Sequence, residues 1–443
     1  MRKSVFAFWL VLMLLLGALV GCSGGGGDDD DSGTDDDAAD DDQTDDDQTD
    51  DDQTDDDQTD DDQTDDDTTV DDDTAIDDDT TVDDDTTVDD DTTVDDDTTV
   101  DDDTSVDDDT TGPPEGCVEG DFDPYWGNLH AHTSYSDGDE TPAEAFPYAR
   151  DVAGLDIQYI TDHLEQLWLP FPSDRFGKCQ EAADVNYEPG VYLCDCGFEY
   201  GSGFILPWFQ STGHNNVFFP NGLYPMLQLD FHDFYDSLVA DPYAVGQFNH
   251  PGDDPTMIWN DWEYFAEVDQ SINLFEFNSD PAWSLYFDAL AAGWHVSPMY
   301  NQDNHSADWG TKNDRRSGFF LSELTREALH DAMKNRRSFM SMDKNATIRL
   351  MAEDTCWGGS ILEADDFVSV TLYLEAIDVD VADGFTNLQL YGPNMASIET
   401  IDCAGTTTCT ATLELPISGP TYFVLRANQT DGDYLVAAPI WLE

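Results

Sequence analysis

The chain has 443 residues and a formal charge of −84, from 99 acidic side chains against 15 basic ones. Residues 28–111 hold 46 Asp and no Lys or Arg, so residues 112–443 keep 53 acids against 13 bases, a net of −40. Both parts repel polyanions, which excludes nucleic acids and acidic membranes as partners held by long-range charge but admits a small substrate.

Residues 1–22 read as an export signal. Arg2 and Lys3 form the charged start, Val5 to Val20 the apolar run, and Leu19-Val20-Gly21-Cys22 the end. The run of about 16 residues is short for a spanning helix of roughly 20. Small Gly21 ahead of Cys22 resembles a bacterial lipoprotein processing site, which implies a lipid on Cys22. Ser23 resembles the outer-membrane sorting pattern. The implied localisation is an exported protein, lipid-anchored in the outer membrane and facing the periplasm or the cell surface.

Residues 23–114 are expected to be a disordered acidic tether. A DDDQT repeat of period five gives way to a DDDTTV-like repeat of period six. Neither places apolar residues at a period of 3.6 or 2, so no face can be buried. Self-repulsion extends such a chain, to on the order of 280 Å at full stretch. Calcium loops need a Gly turn and a closing Glu, and the Asp repeats have neither.

Eight Cys are present, and export permits disulfides. With Cys22 lipidated, Cys117, Cys179, Cys194, Cys196, Cys356, Cys403 and Cys409 remain, an odd number. Cys403 and Cys409 flank a hairpin-like Gly-Thr segment and make the easiest pair. Cys179 is expected to pair with Cys194 or Cys196.

From Pro113-Pro114 onward the texture is regular, and 24 Phe, 17 Tyr and 11 Trp provide for a core. Residues 124–133 read as a strand. Thr141-Pro142-Ala143-Glu144 opens a helix that stops at Gly154, and Leu155 to Thr161 is a second strand. Strand, helix, strand is a βα unit. Further strands are expected at Val191–Glu199, Asn215–Phe219, Tyr243–Asn249, Ile272–Phe277, Trp294–Tyr300, Ser317–Leu324 and Ser338–Met342. Helices are expected at Leu227–Ala240, Pro281–Ala292 and Arg326–Asn335. From about Asp343, short alternating segments such as Val368–Ala376 and Thr421–Ala427 read as a small all-β sandwich.

Six of the nine His sit where strands are expected to end. In His130-Ala131-His132 two imidazoles two residues apart fall on one face of a strand, a grip suited to one metal. Asp137 follows in a turn. His163 closes Thr161-Asp162-His163, Glu199 stands in Gly-Phe-Glu-Tyr, and His214 and His250 stand in Gly-His-Asn-Asn and Asn-His-Pro-Gly. Asp303-Asn304-His305 repeats the i, i+2 device. Strand ends are where barrel folds place their chemistry. No Walker loop, nucleophile elbow or dinucleotide fingerprint occurs. His232, His295 and His330 read as ordinary surface or core histidines. Asp162 points to the opposite strand face from His163 and suits a supporting role. Glu276 divides evenly between orienting a ligand and a structural hydrogen bond. Arg315 and Arg316 are candidates to steady developing anionic charge, and Trp309 to wall the pocket.

Residues 125–305 resemble the polymerase and histidinol phosphatase (PHP) superfamily of metallohydrolases. The resemblance runs through Asn128-Leu129-His130-Ala131-His132-Thr133, Ser136-Asp137-Gly138, Gly154-Leu155-Asp156, Thr161-Asp162-His163 and Asp303-Asn304-His305. It implies a distorted (β/α)7 barrel and two or three divalent metal ions (Zn, Mn or Fe). The implied ligands are His130, His132, Glu199 and Asp303 for one metal and His214 and His250 for a second, bridged by Glu199. Asp137, His163 and His305 would hold the third, with Asp137 in place of a His that many members carry. Asp343-Lys344-Asn345, Thr430-Asp431-Gly432-Asp433 and Pro439-Ile440-Trp441 resemble the tail of that superfamily's bacterial carbamate-hydrolase-like branch. The expected organisation is an α/β barrel at 115–342 and a β-sandwich-like domain at 343–443.

The resemblance implies hydrolysis by a metal-bridging hydroxide, with no protein nucleophile. A phosphoesterase acting on small phosphate esters is the first expectation. A carboxyl-ester, carbamate or amide hydrolase on the same centre is the second, and a surface binding lipoprotein without turnover the third. No protein partner is expected.

Overall fold

The computed structural model describes residues 122–201, 212–226, 228, 230–253, 257–278 and 281–443. The export signal at 1–22, Cys22, the tether at 23–114 and Cys117 lie outside the described residues. Among those described, no helix is long and apolar enough to cross a membrane.

Strand β1 (Asp123–Asn128) lies parallel to β2 (Ile157–Ile160), and β2 parallel to β3 (Leu193–Cys196). Parallel neighbours need a crossover, and helix α1 (Pro142–Asp151) supplies the first. Its start follows the local chemistry. The Glu144 carboxylate accepts from the Thr141 backbone N–H and hydroxyl at 2.9 and 2.7 Å, and Pro142 takes the first turn, where no N–H is needed. Pro142, Ala145, Phe146 and Ala149 are buried, the i, i+3, i+4, i+7 stripe of a helix with one packed face.

The expected strand Val191–Glu199 is in fact two strands in different sheets. β3 ends at Cys196, and β4 (Phe198–Gly201) opens the second sheet. Gly197 is the break: a Cβ there would stand 2.1 Å from the Val217 carbonyl oxygen, so only glycine lets the two backbones pass. The second sheet continues through β5 (His214–Phe218), β6 (Val245–Asn249), β7 (Ile272–Glu276) and β8 (Ser297–Met299). Its first three strands are antiparallel and its last three parallel. In the first sheet β1 also pairs antiparallel with β9 (Arg316–Leu321), and β9 with β10 (Ser338–Ser341). The pairing is therefore mixed, in two sheets. They meet at both ends. Gly197 and Glu199 donate to the carbonyls of Ile160 and Asp162 at 2.9 and 3.2 Å, and the segment after β1 bridges to the segment after β8 at Ala131 and Asn304.

Helix α2 (Arg175–Asn186) was not expected from the sequence; α3 (Phe231–Val239), α4 (Ala282–Ala292) and α5 (Arg326–Lys334) fall inside expected helices. Cys179 of α2 is bonded to Cys196, one of its two expected partners, and Cys403 to Cys409. Cys194 is a buried free thiol, and Cys356 is disulfide-bonded.

The chain continues as β11 (Thr347–Ala352), β12 (Ile361–Leu362), β13 (Ser369–Ile377), β14 (Phe385–Gly392), β15 (Ala396–Thr406), β16 (Thr408–Pro416), β17 (Thr421–Gln429), β18 (Tyr434–Ala437) and β19 (Ile440–Leu442). β11, β13 and β16 form an antiparallel sheet. Along β13, Val370, Leu372, Leu374 and Ala376 are buried on one face while the alternate residues are half-exposed, the period-2 pattern of a one-sided sheet. The other strands extend the first sheet, because β18 pairs antiparallel with β10. Phe320 of β9 and Phe339 of β10 share a core with Ile348, Leu372 and Leu425. The sheet and its core thus run across residue 343, where the sequence changes texture.

Candidate metal centre

Strands β4 and β5, through Glu199 and His214, and the segments that follow β1, β2, β6 and β8 bring nine acidic and imidazole side chains together. They form four overlapping groups: His132, Asp137, His163 and His305; His130, His132 and Glu199; His130, His250 and Asp303; and Glu199, His214 and His250. Within each group the potential ligand atoms lie within 4.8 Å of one another. All nine residues singled out in the sequence stand in these groups.

Glu199 is the hub, and its two oxygens face different partners. Oε2 lies 3.5, 3.3 and 3.2 Å from His130 Nε2, His132 Nε2 and His163 Nδ1. Oε1 lies 3.0 and 3.1 Å from His214 Nδ1 and His250 Nε2. The i, i+2 device works as spacing implied: the Nε2 atoms of His130 and His132 are 3.2 Å apart, and Asp303 Oδ1 is 3.2 Å from each. Asp137 lies 3.7, 3.5 and 3.5 Å from His132, His163 and His305, on the more exposed side of the cluster.

The backbone is held out of its ordinary regions here. His250 and Asp303 have φ of 28° and 47°, conformations that cost of order 1–3 kcal/mol in a residue with a side chain and that cluster at functional sites.

Electrostatics tie the groups together. Burial opposes a charge on His130 and His132. The carboxylates of Asp303 and Glu199, joined at His130 by Glu276, outweigh it and raise His130 well above the usual imidazole range and His132 to about 10. His163 and His250 are raised for the same reason. Burial likewise opposes ionisation of Glu199, Asp303 and Asp137, but the surrounding imidazoles win, holding Glu199 and Asp303 well below the carboxylate range and Asp137 at about 2. The pocket is one in which anions and cations are each sustained only by the other.

A divalent cation fits this donor set. His250 Nδ1 is buried without a hydrogen-bond partner, and buried Asp303 Oδ1 faces two imidazole nitrogens at 3.2 Å. Neutral imidazole with carboxylate is the ligand chemistry of Zn, Mn and Fe, and several ligand atoms already face one another at near contact.

Supporting residues fix the ring and loop orientations. Glu276 is fully buried. Its oxygens lie 3.0 and 3.2 Å from His130 Nδ1, and Oε2 accepts from the His250 backbone N–H at 2.8 Å. It thus orients the His130 ring and the His250 backbone, two parts of the cluster. Asp162 accepts from Thr133 N, Thr133 Oγ1 and Ser136 Oγ at 2.7, 2.7 and 2.5 Å, so it shapes the turn that carries Asp137. Trp309 donates from Nε1 to the His132 carbonyl at 3.2 Å and is buried. Asn249 was missed in the sequence: its Nδ2 donates to Glu199 Oε1 at 2.9 Å, and its Oδ1 accepts from Gln247 Nε2 at 2.9 Å. An alternating polar strand, Gln247-Phe248-Asn249, was the available signal.

The arginines lie differently. Arg316 is buried and donates to the carbonyls of Gly310, Asn313 and Arg315, so its guanidinium organises the 310–315 loop. Arg315 donates to the Tyr300 hydroxyl and lies over the Tyr300 ring. His232, His295 and His330 belong to none of the four groups.

No family model and no curated protein matches the chain. Solved structures do. A two-domain protein from Bacteroides vulgatus, described as containing a predicted PHP-like metal-dependent phosphoesterase, matches with a TM-score of 0.41 and 15% identity over 75% of this chain and 97% of that one. The lesion-specific endonuclease Q of Pyrococcus furiosus matches at TM-score 0.35 and 15% identity over 48% of this chain and 56% of its own. Endonuclease Q bound to a 27-mer duplex with an abasic lesion matches at TM-score 0.33 and 13% identity, again over 48% of this chain.

Proposed function

We propose that the chain is a metal-dependent hydrolase, a phosphoesterase acting on small phosphate esters, built on a distorted barrel of the PHP type with a β-sandwich-like domain after it. One observation carries the reading: buried Glu199 turns one oxygen to His130, His132 and His163 and the other to His214 and His250. A carboxylate so placed suits two cation positions side by side, with Asp137, His163 and His305 forming a third. When bound, divalent cations at such a centre supply an acidified water and positive charge for developing oxyanions. Adjacent cations suit a phosphate group, which presents several oxygens at once.

The chain's own residues do the holding. His130, His132, Glu199 and Asp303 grip the first position, and Glu276 fixes the His130 ring through Nδ1. Glu199, His214 and His250 grip the second, with Asn249 orienting Glu199. Asp162 sets the Asp137 turn through Thr133 and Ser136.

A hydrolase of carboxyl esters, carbamates or amides on the same centre is the second reading, favoured by the −40 charge of residues 112–443, which opposes anionic substrates at a distance. The same proposal includes export and a lipid on Cys22, with residues 23–114 as a spacer. The test is elemental analysis of purified protein followed by a panel of nitrophenyl phosphates, carboxylates and carbamates with added Mn²⁺ or Zn²⁺. Phosphate ester turnover that is lost in His130→Ala is the expected result. Turnover of carboxylates or carbamates alone would select the second reading, and metal-loaded protein that turns over nothing would sink both.

A further inference from the structure

Four consecutive residues, Trp259, Asn260, Asp261 and Trp262, have φ of 43°, 55°, 60° and 59°. None is glycine, so each meets the Cβ–carbonyl conflict that makes left-handed turns rare in L-residues. A chain keeps such a turn only where its surroundings impose it. Here the surroundings are the residues on either side of His214.

Fully buried Trp259 touches that segment at three points. Its backbone N–H donates to the Thr212 carbonyl at 2.8 Å. Its indole lies against Gly213, where a Cβ would come within 2.2 Å of the ring. Its Nε1 donates to Asn215 Oδ1 at 2.9 Å. Residues 212, 213 and 215 are thereby held, and His214 is the residue left between them. The same ring packs on Phe248 at 4.6 Å between centroids, two residues before His250, and His214 is paired with Asn249 across β5 and β6. The turn is braced from behind: Trp294 Nε1 donates to the Trp262 carbonyl at 3.2 Å, and Glu263 N–H to the Trp259 carbonyl at 3.1 Å.

We propose that the left-handed turn Trp259–Trp262 is a positioning clamp that sets His214 against His250 across Glu199, and so builds the second metal position. This rests on the reading of the centre as a metal site. Trp259 touches no reacting group; it acts through His214.

The test uses the full chain, because the Asp-rich tract is common to every variant and cancels in comparison. Trp259→Phe keeps a ring but removes the indole donor. Asn215→Leu removes the acceptor together with the Nδ2 donation to the Gln247 carbonyl at 3.0 Å, and Asn215→Asp loses that donation but keeps the acceptor. Mn²⁺ and Zn²⁺ binding is followed by competition with a chromophoric chelator and by metal content after gel filtration, with circular dichroism to verify the fold. Trp259→Phe and Asn215→Leu should weaken one metal equivalent by about 10–100-fold and leave the others unchanged. Asn215→Asp should weaken that equivalent less than Asn215→Leu does. His214→Ala should lose the same equivalent, and adding Trp259→Phe to it should cost nothing more. Wild-type affinity in Trp259→Phe and Asn215→Leu, or equal weakening of every equivalent, would overturn the clamp while leaving the metal reading intact. A wild-type protein that binds neither ion would overturn both.

Discussion

Glu276 shows what a single buried carboxylate does for the centre. It lies 146 residues from His130 in the chain, yet it stands on Nδ1 of that ring and takes the His250 backbone N–H as well. In Glu276→Gln the amide lacks the negative charge that, facing Nδ1, makes Nε2 of the same ring a stronger donor to a cation. Metal affinity should drop about 10–100-fold with little change in secondary structure, as read by chelator competition and circular dichroism. The imidazoles also predict a proton signature. His132 is raised to about 10 and His130, His163 and His250 are raised with it, so without metal the His132 ring keeps its proton at pH 7 and the other three hold protons more tightly than a free imidazole. Ligation requires them neutral. Metal uptake at pH 7 should therefore release protons, and apparent affinity should climb with pH. Calorimetry in two buffers of different ionisation enthalpy measures this, and buffer-independent heats would contradict it. The nine clustered residues were legible from the order of His-x-His, Asp-x-His and single His or Glu residues at successive expected strand ends, each piece common alone. The roles of Glu276 and Asn249 were not, because each depends on a partner brought near only by folding.

At the scale of elements, the most consequential residue is Gly197. It lets β3 pass into β4 beside the Val217 carbonyl, and Glu199 follows two residues later. Gly197→Ala should lose about 1–3 kcal/mol or more from overpacking against backbone and should also displace Glu199, weakening metal binding. Thr325→Ala is the matched control. Thr325 Oγ1 accepts from the Ala328 N–H at 3.3 Å and caps α5. Its loss should cost about 1 kcal/mol with metal affinity unchanged. Urea unfolding and metal titration of both variants separate the two effects; equal metal affinity in the pair would refute the link between Gly197 and the site. Most elements were readable, α1 from its early Pro142 and the Glu144 carboxylate in its first turn, and β13 from its alternation. Helix α2 was not, because its buried stripe is Phe176, Cys179 and Ala183, a pattern of one large and two small residues interrupted by Gly177. Nor was the split at Gly197, since a strand's residues show its faces but not which sheet each half joins. The left-handed Trp259–Trp262 turn leaves no mark in composition either.

At the scale of the molecule, the sequence changes texture at residue 343 while the sheet does not. The β10–β18 pairing depends on residues about a hundred apart, a relation that no local pattern encodes. A second tie joins the same two parts of the chain. His295 Nδ1 lies 2.7 Å from Asp269 Oδ2, its Nε2 lies 2.8 Å from Glu443 Oε1, and its backbone N–H donates to Asp269 Oδ1 at 2.8 Å. Arg336 donates to the His295 carbonyl at 2.7 Å, and the Trp441 ring lies edge-on to the imidazole. Burial disfavours the charged ring, but Asp269 and then Glu443 outweigh it and raise the pKa above its ordinary 6.5. A group raised on folding binds protons more tightly in the folded state, so its contribution is complete below the unfolded value. It is lost as pH rises through the folded one. His295→Gln should therefore destabilise by about 1.5–3 kcal/mol, the scale of a charge-assisted hydrogen bond, when measured below pH 6.5. The difference from wild type should shrink steadily on the alkaline side. Urea unfolding of both proteins in chelator at a series of pH values, followed by tryptophan fluorescence, gives that difference directly, since the titrating metal ligands are common to the pair. A gap that is flat with pH, or that widens above neutrality, would show that the His295 bridge joins the two parts without its charge.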